Sequence, residues 1–373
     1  MKSAFQTRAN MRFSLFIYII LIGFQCVSAQ PPEYSHHVGR AFHISSSVSV
    51  EISNKYGRVQ VVPWDKDSVR FDIDLRIRAK DNQKLEKIRQ NIEFEFTPGQ
   101  YYIIAQTKFG DNGSDVLKDL VDIAGSYISS SNSVSINYTV RIPEHINLKI
   151  ENKFGDVYLD DHSGALTMIL SYGDLKANRL NGRSDLKISS GDADINYFKE
   201  GTAIFSYANV HIRESSMLTV QSQSSVITIE KSGNIKLNSR RDKIYLNEAN
   251  YVSGETYFTT ANIGALNNSV TLGGRYGDII IDDVRRSFTS LNIISELTDV
   301  SMSFERPMVF DFDLTHHQSV LFTYPRDLAH FSTNVINAEE KLFVTTGDFG
   351  TGSSSSKVTL KALRKCNLTI SQR

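Results

Sequence analysis

Four aspartates follow a glycine at a recurring place in the chain: Asp156, Asp174, Asp192 and Asp278. Their type and spacing could do chemistry, because carboxylates lined up along one edge beside backbone oxygens suit a hard cation such as Ca²⁺. The competing reading is turn chemistry, in which an Asp after Gly satisfies nearby backbone N–H groups. Asn209, Ser225 and Asn262 stand at the corresponding places in later repeats. A turn accepts those replacements and a metal column does not. The aspartates are therefore assigned to turns, and no metal ligand is assigned.

Other reactive residues lead to the same result. Asp160-Asp161 and Asp282-Asp283 are sequence neighbours. Extended neighbours point to opposite faces and cannot share one substrate, so both pairs read as solvated loop residues. His36-His37 and His316-His317 fail for the same reason, and no third ligand stands at zinc-site spacing. Cys366 follows Arg364-Lys365, which would lower a thiol pKa, but no partner histidine accompanies it. It reads as a thiol in a terminal cap. Nucleotide-binding and hydrolase loop motifs are absent, so no catalytic or cofactor-binding residue is assigned. The chain reads as a non-enzyme.

The aspartates belong to a short phrase that keeps returning. Asn54-Lys55-Tyr56-Gly57-Arg58-Val59 is followed by Asn152-Lys153-Phe154-Gly155-Asp156-Val157, then by Ser171-Tyr172-Gly173-Asp174-Leu175 and Ser189-Ser190-Gly191-Asp192-Ala193, and later by Arg275-Tyr276-Gly277-Asp278-Ile279. The first apolar residue after each turn gives a ladder: Val157, Leu175, Ala193, Val210, Val226, Ile244, Ile263, Ile279, Val300 and Val320. Its steps run from 16 to 21 residues. Steady spacing with drifting turn residues marks one supersecondary unit stacked many times. Within each unit the apolar residues alternate, as in Leu186 and Ile188 against Asp185 and Lys187. Each step is too short for a strand–helix–strand crossover. The expected fold is mainly β: a right-handed parallel β-helix of roughly 16–21 residues per coil. An antiparallel sandwich is the rival.

Before residue 140 the pattern differs. Val69-Phe71-Ile73-Leu75-Ile77 is a long alternation, Asp81 caps a helix carrying Leu85, Ile88 and Ile92, and Phe94-Phe96 pairs with Tyr102-Ile104 around Pro98-Gly99. Residues 109–133 read as a loop holding an amphipathic helix with Val116, Leu117, Leu120 and Ile123. The expected layout is a signal peptide over 1–29, an N-terminal β-rich cap region with helical insertions over 30–133, and a β-solenoid over 134–373. The cap is expected because an open coil end exposes apolar stack and unpaired edges. The ring column Tyr56, Phe154, Tyr172, Tyr207 and Tyr276 is read as stacking inside the solenoid corner, where rings gain most from burial. Facing outward, the same column would stack on sugar faces.

Lys2, Arg8 and Arg12 precede the apolar run Phe13–Phe24, and Val27-Ser28-Ala29 offers small residues for signal peptidase. The run is shorter than the roughly 20 residues of a membrane-spanning helix. Cys26 raises lipidation, but Gln25 stands where a small residue is required before it. Cleavage before Gln30 leaves Cys366 as the one cysteine, so burial and hydrogen bonding alone would stabilise the exported chain. Formal charge is +0, with 41 basic and 41 acidic residues. Neither sign dominates a long block, which argues against nucleic acid.

The residues Asn54-Lys55-Tyr56-Gly57, Val59-Gln60-Val61, Trp64-Asp65, Ile136–Val140 and Asn152–Val157 resemble the secreted bacterial “putative adhesin” domain family, found in Bacteroidota-like bacteria. The resemblance spans the expected mature chain. It departs at Arg58, where other copies carry Asp, and in the repeats after 208 that lose Gly. It implies a parallel β-solenoid and an envelope or surface location, and says little about mechanism.

The expected function is a non-catalytic envelope or surface protein that binds through a repetitive lateral face. Surface glycans or envelope proteins are the expected partners, and no transmembrane segment is expected after the leader. A polysaccharide-active β-helix enzyme (lyase or hydrolase), with Lys149, Lys153, Lys176, Arg179 and Lys187 as basic partners, is one alternative. A periplasmic sensor or assembly partner is the other. Mass spectrometry of the native protein should find an N-terminus at Gln30; an intact 1–29 segment would overturn the leader.

Overall fold

The computed structural model describes residues 31–44, 48–110, 133–352 and 355–373. The expected signal peptide and the expected amphipathic helix within 109–133 lie outside the described residues. What is described is mainly β: a long mixed sheet of 22 strands that does not close on itself, with one α-helix.

The early strands are β1 (Glu33–His43), β2 (Ser49–Lys55), β3 (Val59–Pro63) and β4 (Ser68–Arg78). Helix α1 (Asn82–Gln90) follows, then β5 (Ile92–Pro98), β6 (Tyr102–Phe109) and β7 (Ser133–Ile142). In β4 the alternation buries Val69, Phe71, Ile73, Leu75 and Ile77. Asp81 caps α1, its side chain accepting the Lys84 N–H at 2.7 Å, and Leu85 and Ile88 are buried beneath. β5 and β6 form the antiparallel hairpin. β1 has no apolar alternation to announce it. It is an edge strand, paired antiparallel with β4 from Glu33↔Arg78 to His43↔Ser68, and polar side chains suit such an edge.

The middle strands are β8 (Asn147–Lys153), β9 (Val157–Leu159), β10 (Leu166–Ser171), β11 (Leu175–Ser189), β12 (Asp192–Ser206), β13 (Asn209–Gln223), β14 (Val226–Arg240), β15 (Lys243–Val284) and β16 (Ser290–Phe304). Each 15-residue strand from β11 to β14 bends once and feeds two parallel ladders. Its second half joins ladder A, where Leu186 pairs with Met168 and Ala203. Its first half joins ladder B, where Leu175 pairs with Val157 and Ala193. One stretch contributing to both ladders is here called a tier. β15 runs 42 residues and spans more than two tiers, pairing with β14 at its start and with β16 at its end. Inward side chains of both ladders merge into one apolar cluster.

The first phrase and its echo lie side by side although far apart in sequence. β2 is parallel to β8, with Asn54 opposite Asn152, and β3 is parallel to β9, with Val59 opposite Val157. β4 to β7 arise as an excursion between these two tiers. At the other end β16 does not meet the segment that follows it. Its partners are β21 (Lys357–Ala362) and β22 (Asn367–Gln372), with Val300 opposite Leu368. Between them β17 (Phe310–His317), β18 (Leu321–Thr323), β19 (Ala329–Asn337) and β20 (Leu342–Phe349) fold over the end of the sheet. Phe288, Phe304, Phe310, Phe312, Phe331 and Phe349 pack there ring against ring.

Three register expectations are corrected. Ile227, not Val226, lies between Val210 and Ile244, and Val226 points outward with 38% exposure. The turns at Arg241 and Phe258 set Ala261, not Ile263, in line with Ile244, so Ala261-Asn262 is not a turn. Val320 is not the step after Val300, because the neighbouring strand comes from 368 onward. Apolar neighbours such as Val226-Ile227 look alike in sequence, and only the position of the preceding turn decides which faces in.

Leu186 and Ile188 are buried in ladder A while Lys187 between them is outward. Leu186→Asp or Ile188→Asp should cost more than about 4 kcal/mol in urea unfolding, since a buried unpaired carboxylate has no partner. Lys187→Asp should stay within about 0.5 kcal/mol of wild type. Equal effects at 186, 187 and 188 would refute this register.

Candidate functional site

From β2–β3 to β16, each tier enters ladder B through a residue in the left-handed backbone region. These are Tyr56, Phe154, Tyr172, Ser190, Tyr207, Ser224, Arg241, Phe258, Tyr276 and Leu297, all with φ between 52 and 64°. Non-glycine residues rarely adopt this conformation, so its return every 17 or 18 residues from Phe154 to Tyr276 defines a single corner repeated along the molecule. The next residue in early tiers is glycine because stacked corners touch. A Cβ on Gly155 would lie 2.1 Å from the Gly57 carbonyl oxygen, and one on Gly173 2.1 Å from that of Gly155. Asn152 donates its side-chain N–H to the Gly155 and Gly57 carbonyls at 2.8 and 3.0 Å.

The aspartate column is turn chemistry. Asp156 Oδ1 accepts the backbone N–H of Asp174 at 3.0 Å, and Asp174 Oδ1 accepts that of Asp192 at 2.9 Å. Asn137 does the same for Arg58 at 3.1 Å, so β7 carries the corresponding acceptor one tier below. Later equivalents are Asn209, Val226 and Lys243, so the expected places of Ser225 and Asn262 are each off by at least one residue. In the later tiers Asp242 replaces the glycine. It is buried and accepts hydrogen bonds from Ser222, Ser239 and the Ser225 N–H at 2.6–2.7 Å.

The ring column faces outward, which corrects the expectation of an inward stack. Only Tyr56 is buried, at 8% exposure; Tyr172 is 57% and Tyr207 64% exposed. Left-handed backbone at the corner aims the side chain away from the core, and the alternation of the flanking strands does not reach it. Tyr56 stacks on Phe154 at 5.4 Å and 6°, and Phe154 on Tyr172 at 5.2 Å and 19°. Phe258, which the sequence reading passed over, stacks on Tyr276 at 4.7 Å and 8°. Lys153 lies 5.0 Å from the Phe154 ring and Lys55 5.2 Å from that of Tyr56. Burial, then the nearby Lys153 charge, lowers the Lys55 pKa.

The remaining candidates disperse. His37 Nδ1 meets Asp74 at 2.8 Å, on a polar groove of about 630 Å³ lined also by His36, Arg58, Arg76 and Asn137. His316 contacts Thr345, and His317 contacts Ser319. No group of three or more metal-ligating side chains occurs among the described residues. Asp282 is exposed, but Asp283 is buried between Arg285 and Arg373, so the expectation that both are solvated fails for Asp283. Cys366 is buried, which pushes its thiol pKa up despite Arg364 and Lys365. Among the basic residues, Lys149 pairs with Glu51 at 2.7 Å and Arg179 lies 4.4 Å from the Tyr197 ring. No helix among the described residues is long and apolar enough to cross a membrane.

Outward side chains instead form columns. On ladder B these include Tyr158, Lys176, Asp194, His211, Thr228 and Tyr245, each directly opposite the next. On ladder A they include Thr167, Asp185, Thr202, Thr219, Lys236 and Ser253. Outward residues are thus divided between two faces: Asp185, Lys187 and Lys236 lie on ladder A, His211, Thr228 and Tyr245 on ladder B.

No protein-family model and no curated protein sequence matches the chain. Three solved structures are similar to it at low identity. A putative cell adhesion protein from Clostridium sporogenes is 9% identical, with 91% of this chain and 100% of that one covered and a TM-score of 0.18. A putative adhesin from Bacteroides fragilis is 9% identical, with 91% and 97% covered and a TM-score of 0.23. A putative adhesin from Parabacteroides distasonis is 8% identical, with 72% and 93% covered and a TM-score of 0.30.

One titratable group gives a pH test of the corner opposite the rings. His162 is buried and bridges to Leu180, its Nε2 has no partner, and burial lowers its pKa to about 4. An unfolded chain takes up this proton below about pH 6.5, whereas the folded chain refuses it until about pH 4. Stability is unaffected above that window and falls as pH drops through it. Between pH 7 and 4.5 wild type should lose about 2–3 kcal/mol that His162→Phe does not lose. Equal pH dependence of urea unfolding in the two proteins would contradict this burial.

Proposed function

We propose that this chain is an exported, non-catalytic binding scaffold of the cell envelope or surface, adhesin-like in action. Its stacked tiers are read as a right-handed parallel β-solenoid over 134–373, with 30–133 as the N-terminal cap region. The observation that carries this reading is the register of the outward columns. Equivalent positions on neighbouring tiers stand about 4.8 Å apart, so weak contacts can be repeated along an extended ligand and add up. The residues that would serve an enzyme have structural tasks instead: Asp174 takes a backbone N–H, Lys149 an ion pair, and Arg179 a ring. The resemblance carried by the Asn-Lys-aromatic-Gly phrases supports an envelope or surface location.

The test uses alanine variants on immobilised cell-surface glycans and envelope extracts. A triple change at His211, Thr228 and Tyr245, or at Thr202, Thr219 and Lys236, should weaken binding more than about tenfold. Each single change should weaken it less than about threefold. If one of these single changes removes all binding, or if a glycan is depolymerised, the reading falls.

A further inference from the structure

The outward ring column is interrupted by a single tier at one place, with a ring on either side. Phe154 covers one face of Tyr172 at 5.2 Å. The other face looks toward the next tier, where the corner residue is Ser190, and beyond it stands Tyr207. No ring lies against Tyr207 among the described residues, and it is the most exposed ring of the column. Two tiers separate Tyr172 from Tyr207, about 9.6 Å at the usual strand spacing. One flat six-membered ring set midway would lie about 4.8 Å from each. That matches the stack where it is complete, 5.2 Å for Phe154 on Tyr172 and 4.7 Å for Phe258 on Tyr276.

The rim of this gap is polar. The residues before the three corners are Ser171, Ser189 and Ser206, and those two positions after them are Asp174, Asp192 and Asn209. Asp192 receives the Asn209 amide on Oδ1 at 3.0 Å, which leaves its second carboxylate oxygen and the Asn209 carbonyl oxygen facing solvent. From these observations we infer that the gap over Ser190 is a slot for one pyranose unit of a neutral glycan, sandwiched between Tyr172 and Tyr207. Axial C–H groups of a pyranose are weakly positive and fit the negative faces of both rings. Its edge of hydroxyls meets the carboxylate, amide and serine rim. A phenyl ring from a partner protein would fill the same space but has no polar edge to meet that rim. The slot rests on the scaffold reading above and names its ligand class.

The experiment fills the slot. Ser190→Tyr restores the missing ring at a backbone angle (φ 57°) that Tyr172 and Tyr207 already adopt, at 56° and 54°. The variant should keep or raise the thermal midpoint of wild type, because the ring completes the stack. On a microarray of neutral and anionic oligosaccharides, wild type should bind a set of neutral pyranose glycans. Ser190→Tyr, Tyr172→Ala and Tyr207→Ala should each lower affinity for that set roughly tenfold, the value of one or two stacking faces. Wild-type affinity in Tyr207→Ala and in folded Ser190→Tyr, with loss confined to the triple lateral variants, overturns the slot and leaves the scaffold standing. Should Ser190→Tyr not fold, the two alanine variants decide by the same criterion. Wild type that binds no glycan on the array overturns the slot as well, and if it also retains nothing from envelope extracts the scaffold falls with it.

Discussion

One left-handed residue at the same corner of each tier from β2–β3 to β16 is the constraint on which the molecule depends. Parallel strands specify register weakly wherever several alternating apolar pairs fit, and a slip of one residue would turn the core outward. The corner removes that freedom. Stacked corners meet backbone to backbone, as at Gly155 on Gly57, and the Asp156 and Asp174 carboxylates each take the N–H of the tier above. A tier displaced by one residue would break both contacts. Early tiers meet the requirement with glycine and Asn152; later ones meet it with buried Asp242 and the hydroxyls of Ser222, Ser239 and Thr259. Two chemistries fill the same space, which is why the turn residues drift while the spacing does not.

This also explains what could be read in advance. The alternation at Leu186 and Ile188, the β4 strand, the capped helix at Asp81 and the repeating phrase all follow from local patterns. Where the corner lost its glycine, the reading drifted to Val226 and Ile263, because apolar neighbours do not say which of them faces in. Insertion of β17 to β20 was invisible for another reason. It carries its own alternation, so Val320 looked like a further step, whereas the true neighbour of Val300 is Leu368. The direction of the rings was unreadable from periodicity because a left-handed residue interrupts the alternation that would have assigned it. β1 was missed because an edge strand made of polar residues differs little from a loop.

Burial at the two ends follows a different logic from burial in the middle. A middle tier is covered above and below by its neighbours, and apart from Phe198 and Phe205 its large inward side chains are aliphatic. The terminal tiers have one open side each. Phe42, Phe71 and Phe96 meet near the first, and the Phe288 to Phe349 cluster covers the last. Large rings cover more apolar surface per residue than aliphatic chains, so they concentrate where the stack stops. Asp283, held by Arg285 and by Arg373, fixes the last residue of the chain to the same end.

Both excursions, β4 to β7 and β17 to β20, leave the ladders near one end and return beside the tier they left. The tiers between carry no insertion of comparable size. Copying or deleting a middle tier therefore changes neither closing structure, and each one alters the length of the molecule by about 4.8 Å. The length of the ladders and the means of sealing their ends are separately heritable. A lineage can adjust how many tiers the protein stacks without redesigning how it is closed.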